Sequence, residues 1–231
     1  PKVEGLPGPF HSYVTFAWPH RITVKDAPKP VTYVLAADRA FMTLSPLHQA
    51  TGFVDINWHG PIFNALATVN NWKEKKIEPE LAESWQVSSD GMTIVFNLRK
   101  DVKWHDGWEF NATDVKFTWD AIRDLQTWGA GDYYGLKPIL DQAKYEITGT
   151  HQITLKLSKY NKFWDSLLWL GQQIVPWHIF RTMDPKASRS HPFSTGVGSY
   201  EVKKPDGATL VAKGPIGTGP FVFDSFDSVG K

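Results

Sequence analysis

The sequence predicts a mixed α/β fold of the α+β kind, on three observations. Three pairs of short alternating segments are each joined by a turn. One long amphipathic segment stands between two of those pairs. Strands and helices do not follow the regular β-α-β order that a parallel sheet requires.

The elements follow in chain order. Residues 1–30 are rich in Pro and Gly with little periodicity, and form an irregular arm. Val31 to Ala37 is short, β-branched and aromatic, which predicts a strand, ended by Ser45-Pro46. Asp55 to Thr68 carries Ile56, Ile62, Phe63, Leu66 and Ala67 at helix-like spacing, and a helix is expected there with Pro61 near its first turn. Past the Ser88-Ser89-Asp90-Gly91 turn, Met92, Ile94, Phe96 and Leu98 alternate with Thr93, Val95 and Asn97, so one face of that strand is apolar. Residues 83–87 pair with it as a hairpin. A second hairpin joins 145–148 to 152–157, and a third joins 200–204 to 208–213 across Pro205-Asp206-Gly207.

Asn111 to Leu125 is the clearest helix. Asn111 suits the N-cap, and Asp114 places negative charge in the first turn. Val115, Phe117, Trp119, Ala121 and Ile122 form an apolar stripe that must be buried. Asn161 to Leu170 reads as another helix ended by Gly171, and 176–180 as a further short one.

Composition narrows the function classes. With 231 residues there is length for one large or two small domains. A net charge of +1 argues against a nucleic-acid partner. No apolar run approaches the ~20 residues of a membrane span, since Trp164–Pro176 is interrupted by Asp165, Gly171, Gln172 and Gln173. Absence of cysteine rules out thiolate catalysis, Cys-ligated zinc and disulfides. Pro1 is preceded by neither an initiator Met nor a signal segment, so a trimmed chain is expected.

Catalytic and metal motifs fail one after another. The eight histidines include no pair four apart and no HExxH, so no metal or other cofactor is expected. His105–Asp106 would need distant residues to complete a ligand set, and Asp106-Gly107 reads as a turn. No GxSxG elbow is present. Gly196-Val197-Gly198 and Gly217-Thr218-Gly219 lack nucleotide-binding spacing and read as turns. Glu80 and Glu83 could in principle act as a glycosidase pair, but their polar segment reads as a solvated face. Asn111-Ala112-Thr113 matches a glycosylation sequon, although the cap role already accounts for the Asn. A binder, not an enzyme, is the expectation.

Residues 77–124, "IEPELAESWQVSSDGMTIVFNLRKDVKWHDGWEFNATDVKFTWDAIRD", are similar to the extracellular solute-binding proteins of ABC importers, family 5. Pro79, Leu81 to Trp85, Asp90, Gly91, Leu98 to Lys100, Lys103, Trp104, Asp106, Gly107, Asp114 and Val115 fit the family pattern. Residues 32–50, "IVPWHIF" at 174–180 and "GPIGTGPFVF" at 214–223 resemble further segments of it, the last as a strand; Ser45 replaces the usual Asp.

The resemblance implies a periplasmic-binding-protein-like fold of type II, with two lobes closing on a ligand. It implies that this chain holds the first lobe, stopping before the second. Residues 31–55 and 196–231 would form an incomplete base, and 56–195 an outer subdomain. Asp106 and its neighbours would be scaffold. The implied function is capture of oligopeptides or oligosaccharides in the periplasm or at the cell surface by a monomer, with delivery to a membrane permease. A carbohydrate-active enzyme fragment or a stand-alone glycan-binding module is the alternative. Position within that fold assigns ligand contacts to Thr51, Gly52, Phe53, Trp58, His59, Trp128, Tyr133, Tyr134, Trp169, Gln172 and Gln173. The Trp and Tyr side chains offer stacking faces, and the two amides sit in an otherwise apolar run, where burial calls for a partner.

Overall fold

A computed structural model describes residues 43–48, 60–71, 76–124, 136–162, 164 and 173–225. The arm at 1–30 and the strand expected at 31–37 lie outside these residues.

The centre is a four-stranded antiparallel sheet built from β3 (Ala82–Val87), β4 (Thr93–Leu98), β5 (Ala143–Gly149) and β6 (Gln152–Leu157), in the order β3-β4-β6-β5. Two expected hairpins supply its edges, and β4 and β6 pair across the middle with Ile94 opposite Leu155 and Phe96 opposite Ile153. Ile94, Phe96, Ile153 and Leu155 are fully buried, as the period-2 pattern requires.

Helix α1 (Ala112–Arg123) lies against this sheet. Asn111 accepts from the Thr113 N–H at 2.8 Å, while the Asp114 carboxylate accepts from the Asn111 N–H at 3.0 Å, a reciprocal cap. Trp119 meets Phe96 and Tyr145 edge-on, with ring centroids 5.9 and 5.3 Å apart. The Tyr145 hydroxyl donates to Asp120 at 2.8 Å. A short helix α2 (Leu136–Asp141) precedes β5.

Two smaller hairpins flank this unit. β1 (Ala67–Asn71) pairs with β2 (Lys76–Pro79), and β7 (Tyr200–Lys203) with β8 (Thr209–Ala212). The first corrects the helix expected to run to Thr68. Ala65 forms a bridge with Gln173, and Ala65 and Leu66 carbonyls accept from Leu81, Glu80 and Ala82 N–H groups. A short apolar run such as 62–67 suits helix or strand equally, and these distant donors decide the matter.

Helices α3 (Trp177–Phe180) and α4 (Pro192–Thr195) carry an aromatic seam. Phe117, Phe180, Phe193 and Phe63 follow one another at 5.1 to 6.0 Å between centroids. Of the helix expected at 161–170, Asn161 is irregular, Lys162 and Trp164 lie in a turn, and the rest falls outside the described residues.

Three Asp-Gly turns share one device. Asp90, Asp106 and Asp206 each accept from the N–H two residues on, at 2.9, 3.3 and 2.9 Å, while the glycine takes positive φ.

Candidate functional site

Of the eleven residues expected to meet a ligand, Thr51, Gly52, Phe53, Trp58, His59, Trp128, Tyr133, Tyr134, Trp169 and Gln172 lie outside the described residues. Gln173 is described. It is buried and bridges Ala65, and the next residue, Ile174, donates its N–H to the Asn64 carbonyl at 2.9 Å. The described residues that follow the stretches 51–59 and 169–172 in sequence, 60–65 and 173–175, therefore meet in one place.

That place is a polar seam. Glu80 sits 9% exposed, which corrects its reading as part of a solvated face; Glu83 is exposed as expected. The Glu80 carboxylate accepts from the Asn64 side-chain amide at 2.6 Å and from the Ala65 N–H at 2.9 Å. Asn64 in turn accepts from the Thr218 hydroxyl at 2.9 Å. Burial pushes the Glu80 carboxyl up to about 7, and the two donors only partly offset it.

The stretch 214–223, expected as a strand, has no ladder; it is irregular chain, bent at 214 and 218–220, and stitched to its neighbours. Gly219 and Phe221 donate N–H groups to Ile62 and Pro61 carbonyls at 2.8 and 3.0 Å. Gly217 and Gly219 serve this close approach and not a turn: a Cβ on Gly217 would lie 1.9 Å from the Ile62 carbonyl oxygen. Gly196 and Gly198 do take the positive φ of turn residues.

His105 closes the seam from the far side. Its N–H donates to the Gly217 carbonyl at 2.9 Å, its Nδ1 accepts from the Gly217 N–H at 3.2 Å, and its Nε2 lies 2.8 Å from the Gly219 carbonyl. An acceptor at Nδ1 and a carbonyl at Nε2 fix the neutral tautomer with the proton on Nε2. Burial holds its pKa below the ordinary imidazole range.

Asp106 turns the other way. Its carboxylate meets His178 Nε2 at 2.6 Å, with both side chains almost wholly enclosed. Trp108 stacks on the His178 ring at 5.3 Å and 22°. Nearby Asp114 accepts from the Trp177 N–H at 2.8 Å as well as from the cap, and burial pushes it up to about 6. Both carboxylates are engaged with protein donors, as scaffold groups are. Among the described residues no three His, Asp or Glu side chains are grouped to hold a metal ion.

Sequence reasoning missed Asn64 and Thr218 and misplaced Glu80 on a solvated face. Their partners lie 15 to 154 residues away along the chain, and local pattern holds no signal for such pairs. A Glu between Pro79 and Leu81 was the only cue.

Residues 76–230 match the family model of bacterial extracellular solute-binding proteins, family 5 middle. The chain belongs to this family. It is 36% identical over 110 residues to the dipeptide-binding protein of Escherichia coli (strain K12), covering 41% of this chain and 20% of that protein. It is 28% identical over 214 residues to di/tripeptide-binding protein 2 of Pseudomonas aeruginosa (strain UCBPP-PA14), covering 86% of this chain and 36% of that one. The chain thus spans from a fifth to just over a third of these relatives. The oligopeptide-binding protein AppA of Bacillus subtilis, solved with a nonapeptide, superposes with a TM-score of 0.61 at 22% identity, over 81% of this chain and 32% of its own. That likeness shows the fold: this family 5 chain takes up part of the type II periplasmic-binding-protein-like fold.

Proposed function

We propose that this chain is the first-lobe portion of the solute-binding component of an ABC importer, which captures oligopeptides outside the cytoplasm and presents them to a membrane permease. The family match over residues 76–230 carries the reading. The relatives' peptide ligands favour peptides over oligosaccharides as cargo.

In this reading, residues 31–55 and 196–231 are the lobe's base and 56–195 its outer subdomain. Thr51, Gly52, Phe53, Trp58 and His59, with Trp128, Tyr133, Tyr134, Trp169, Gln172 and Gln173, face the ligand. Ligand stabilises the closed form because it touches both lobes there and one in the open form. The protein acts as a monomer in the periplasm or at the cell surface.

The test is isothermal titration of the full-length protein with dipeptides, a nonapeptide and a set of oligosaccharides. Peptide binding is expected, with weak or no binding by residues 1–231 alone. Binding of sugars without peptides would overturn the ligand class. Release of reducing sugar from a glycan would favour the enzyme alternative.

A further inference from the structure

A cleft of about 320 Å³ lies between β7 and α3 with its trailing residues 181–183. It is distinct from the seam, and the solute-binding reading assigns nothing to it. Arg181, Lys203, His178, His191 and Glu201 line it. Two fixed cations therefore face one carboxylate.

Among the described residues neither cation has an ion pair. The Arg181 guanidinium lies over the Trp108 ring, 5.7 Å from its centroid, and makes no hydrogen bond there. Among the same residues Lys203 Nζ reaches only the neutral hydroxyl of Thr209. The wall behind Arg181 is fixed: Trp108 stacks on His178, its indole N–H donates to the Lys203 carbonyl at 2.6 Å, and His178 is held by Asp106.

Of the two histidines, His191 adds a donor. His191 Nδ1 accepts from the Phe193 N–H at 3.1 Å, which places the proton of the neutral ring on Nε2. That N–H has no acceptor among the described residues. A ring so arranged donates to an anion and cannot ligate a cation through Nε2. His178 Nε2 is occupied by Asp106, which leaves Nδ1 as its one nitrogen without a partner among the described residues.

We propose that this cleft binds a small oxyanion, carboxylate or phosphate, with the Arg181 guanidinium as its principal partner and Lys203 and the His191 N–H completing the set. A planar guanidinium held over an indole face offers two parallel N–H donors to such a group. Glu201 opposes the ligand and sets a limit on affinity.

Nuclear magnetic resonance titration of the 231-residue protein with sodium phosphate and, separately, sodium malonate tests this, at constant ionic strength held with chloride. Saturable shifts confined to amides 178–183 and 200–203 and to the His191 ring are expected, with Kd of roughly millimolar order. The tighter of the two salts identifies which oxyanion the site prefers. Arg181→Gln should weaken binding at least tenfold and Lys203→Gln by less, whereas Glu201→Gln should tighten it. All three positions are exposed, so the fold should survive, and the tightening at Glu201 cannot arise from damage. Absence of saturable shifts with either salt would overturn the proposal. So would equal affinity in Arg181→Gln, or weaker binding in Glu201→Gln. Peptide capture by the full-length protein is scored separately and can fail without touching this result.

Discussion

The four-stranded sheet with α1 and the polar seam at 60–65, 80, 173–175 and 214–221 are built on opposite principles. In the sheet, hairpin neighbours pair, an adjacent cap starts the helix, and the interior is apolar. In the seam, stretches up to about 150 residues apart meet through a carboxylate, an amide, a hydroxyl and bare glycine backbone. A scaffold gains stability from local pairing and apolar burial. The seam also buries apolar side chains, among them Phe63, Ile174, Val175 and Ile216, but its stretches are joined to one another by a handful of long-range polar groups where the sheet has ladders. In the solute-binding reading the stretches that carry the ligand contacts adjoin this region in the chain, so ligand should be felt there before it is felt in the sheet.

The largest expected effect is in the sheet. Phe96→Ala should cost about 3–5 kcal/mol, because the ring is fully enclosed against Trp119 and its removal leaves a cavity. Chemical denaturation would read the loss, and a cost below 1 kcal/mol would dissolve the contrast.

Next comes Gly217→Ala in the seam. A methyl group 1.9 Å from a backbone oxygen forces the 60–62 stretch away, at about 1–3 kcal/mol. Loss of amide protection should stay near Ile62, Gly219 and Phe221 and spare β4 and β6. Uniform loss in hydrogen exchange would mean that the two regions open as one.

Glu80 gives the seam a pH signature. Its carboxyl is raised from 4.5 to about 7 in the folded protein, so the fold binds this proton more tightly than the unfolded chain does. The associated stability is fully present below about pH 4.5 and is lost as pH rises through 7, roughly 3 kcal/mol in all. Asp114 acts with the same sign and is spent by about pH 6. His105, lowered by burial, acts oppositely: its stability is present at neutral pH and above and fades on acidification. Glu80→Gln removes this share and leaves that of the histidines, so the stability of wild type relative to the variant should fall between pH 6 and 8. A parallel decline in the variant would remove Glu80 as the cause.

The smallest effect is local. Asn111→Ala removes one half of the reciprocal cap and should cost about 1 kcal/mol, seen as a lower unfolding midpoint with no change in the pH profile.

What could be read from the sequence divides along the same line. Ile94, Phe96 and Leu98 announce their strand by alternation, and Asn111 with Asp114 announces the cap, because both signals lie within a few residues. Residues 62–67 misled, since five apolar residues around Asn64 carry no period long enough to separate helix from strand, and their partners lie beyond Pro79. Glu80 misled for a related reason: it sits in a polar stretch, and its burial is decided by Asn64 and Thr218. Gly217 and Gly219 were visible as glycines, but only the carbonyls of Pro61 and Ile62 explain them. Gln173 could be picked out because an amide beside Ile174 and Val175 requires a partner.

The proposal that ligand acts on the seam and leaves the sheet untouched is tested most directly by hydrogen exchange on the full-length protein with and without saturating peptide. Slowed exchange is predicted at Ala65, Ile174, Gly219 and Phe221, with Ile94, Phe96 and Leu155 unchanged. Protection spread evenly over both regions, or confined to the sheet, would contradict it.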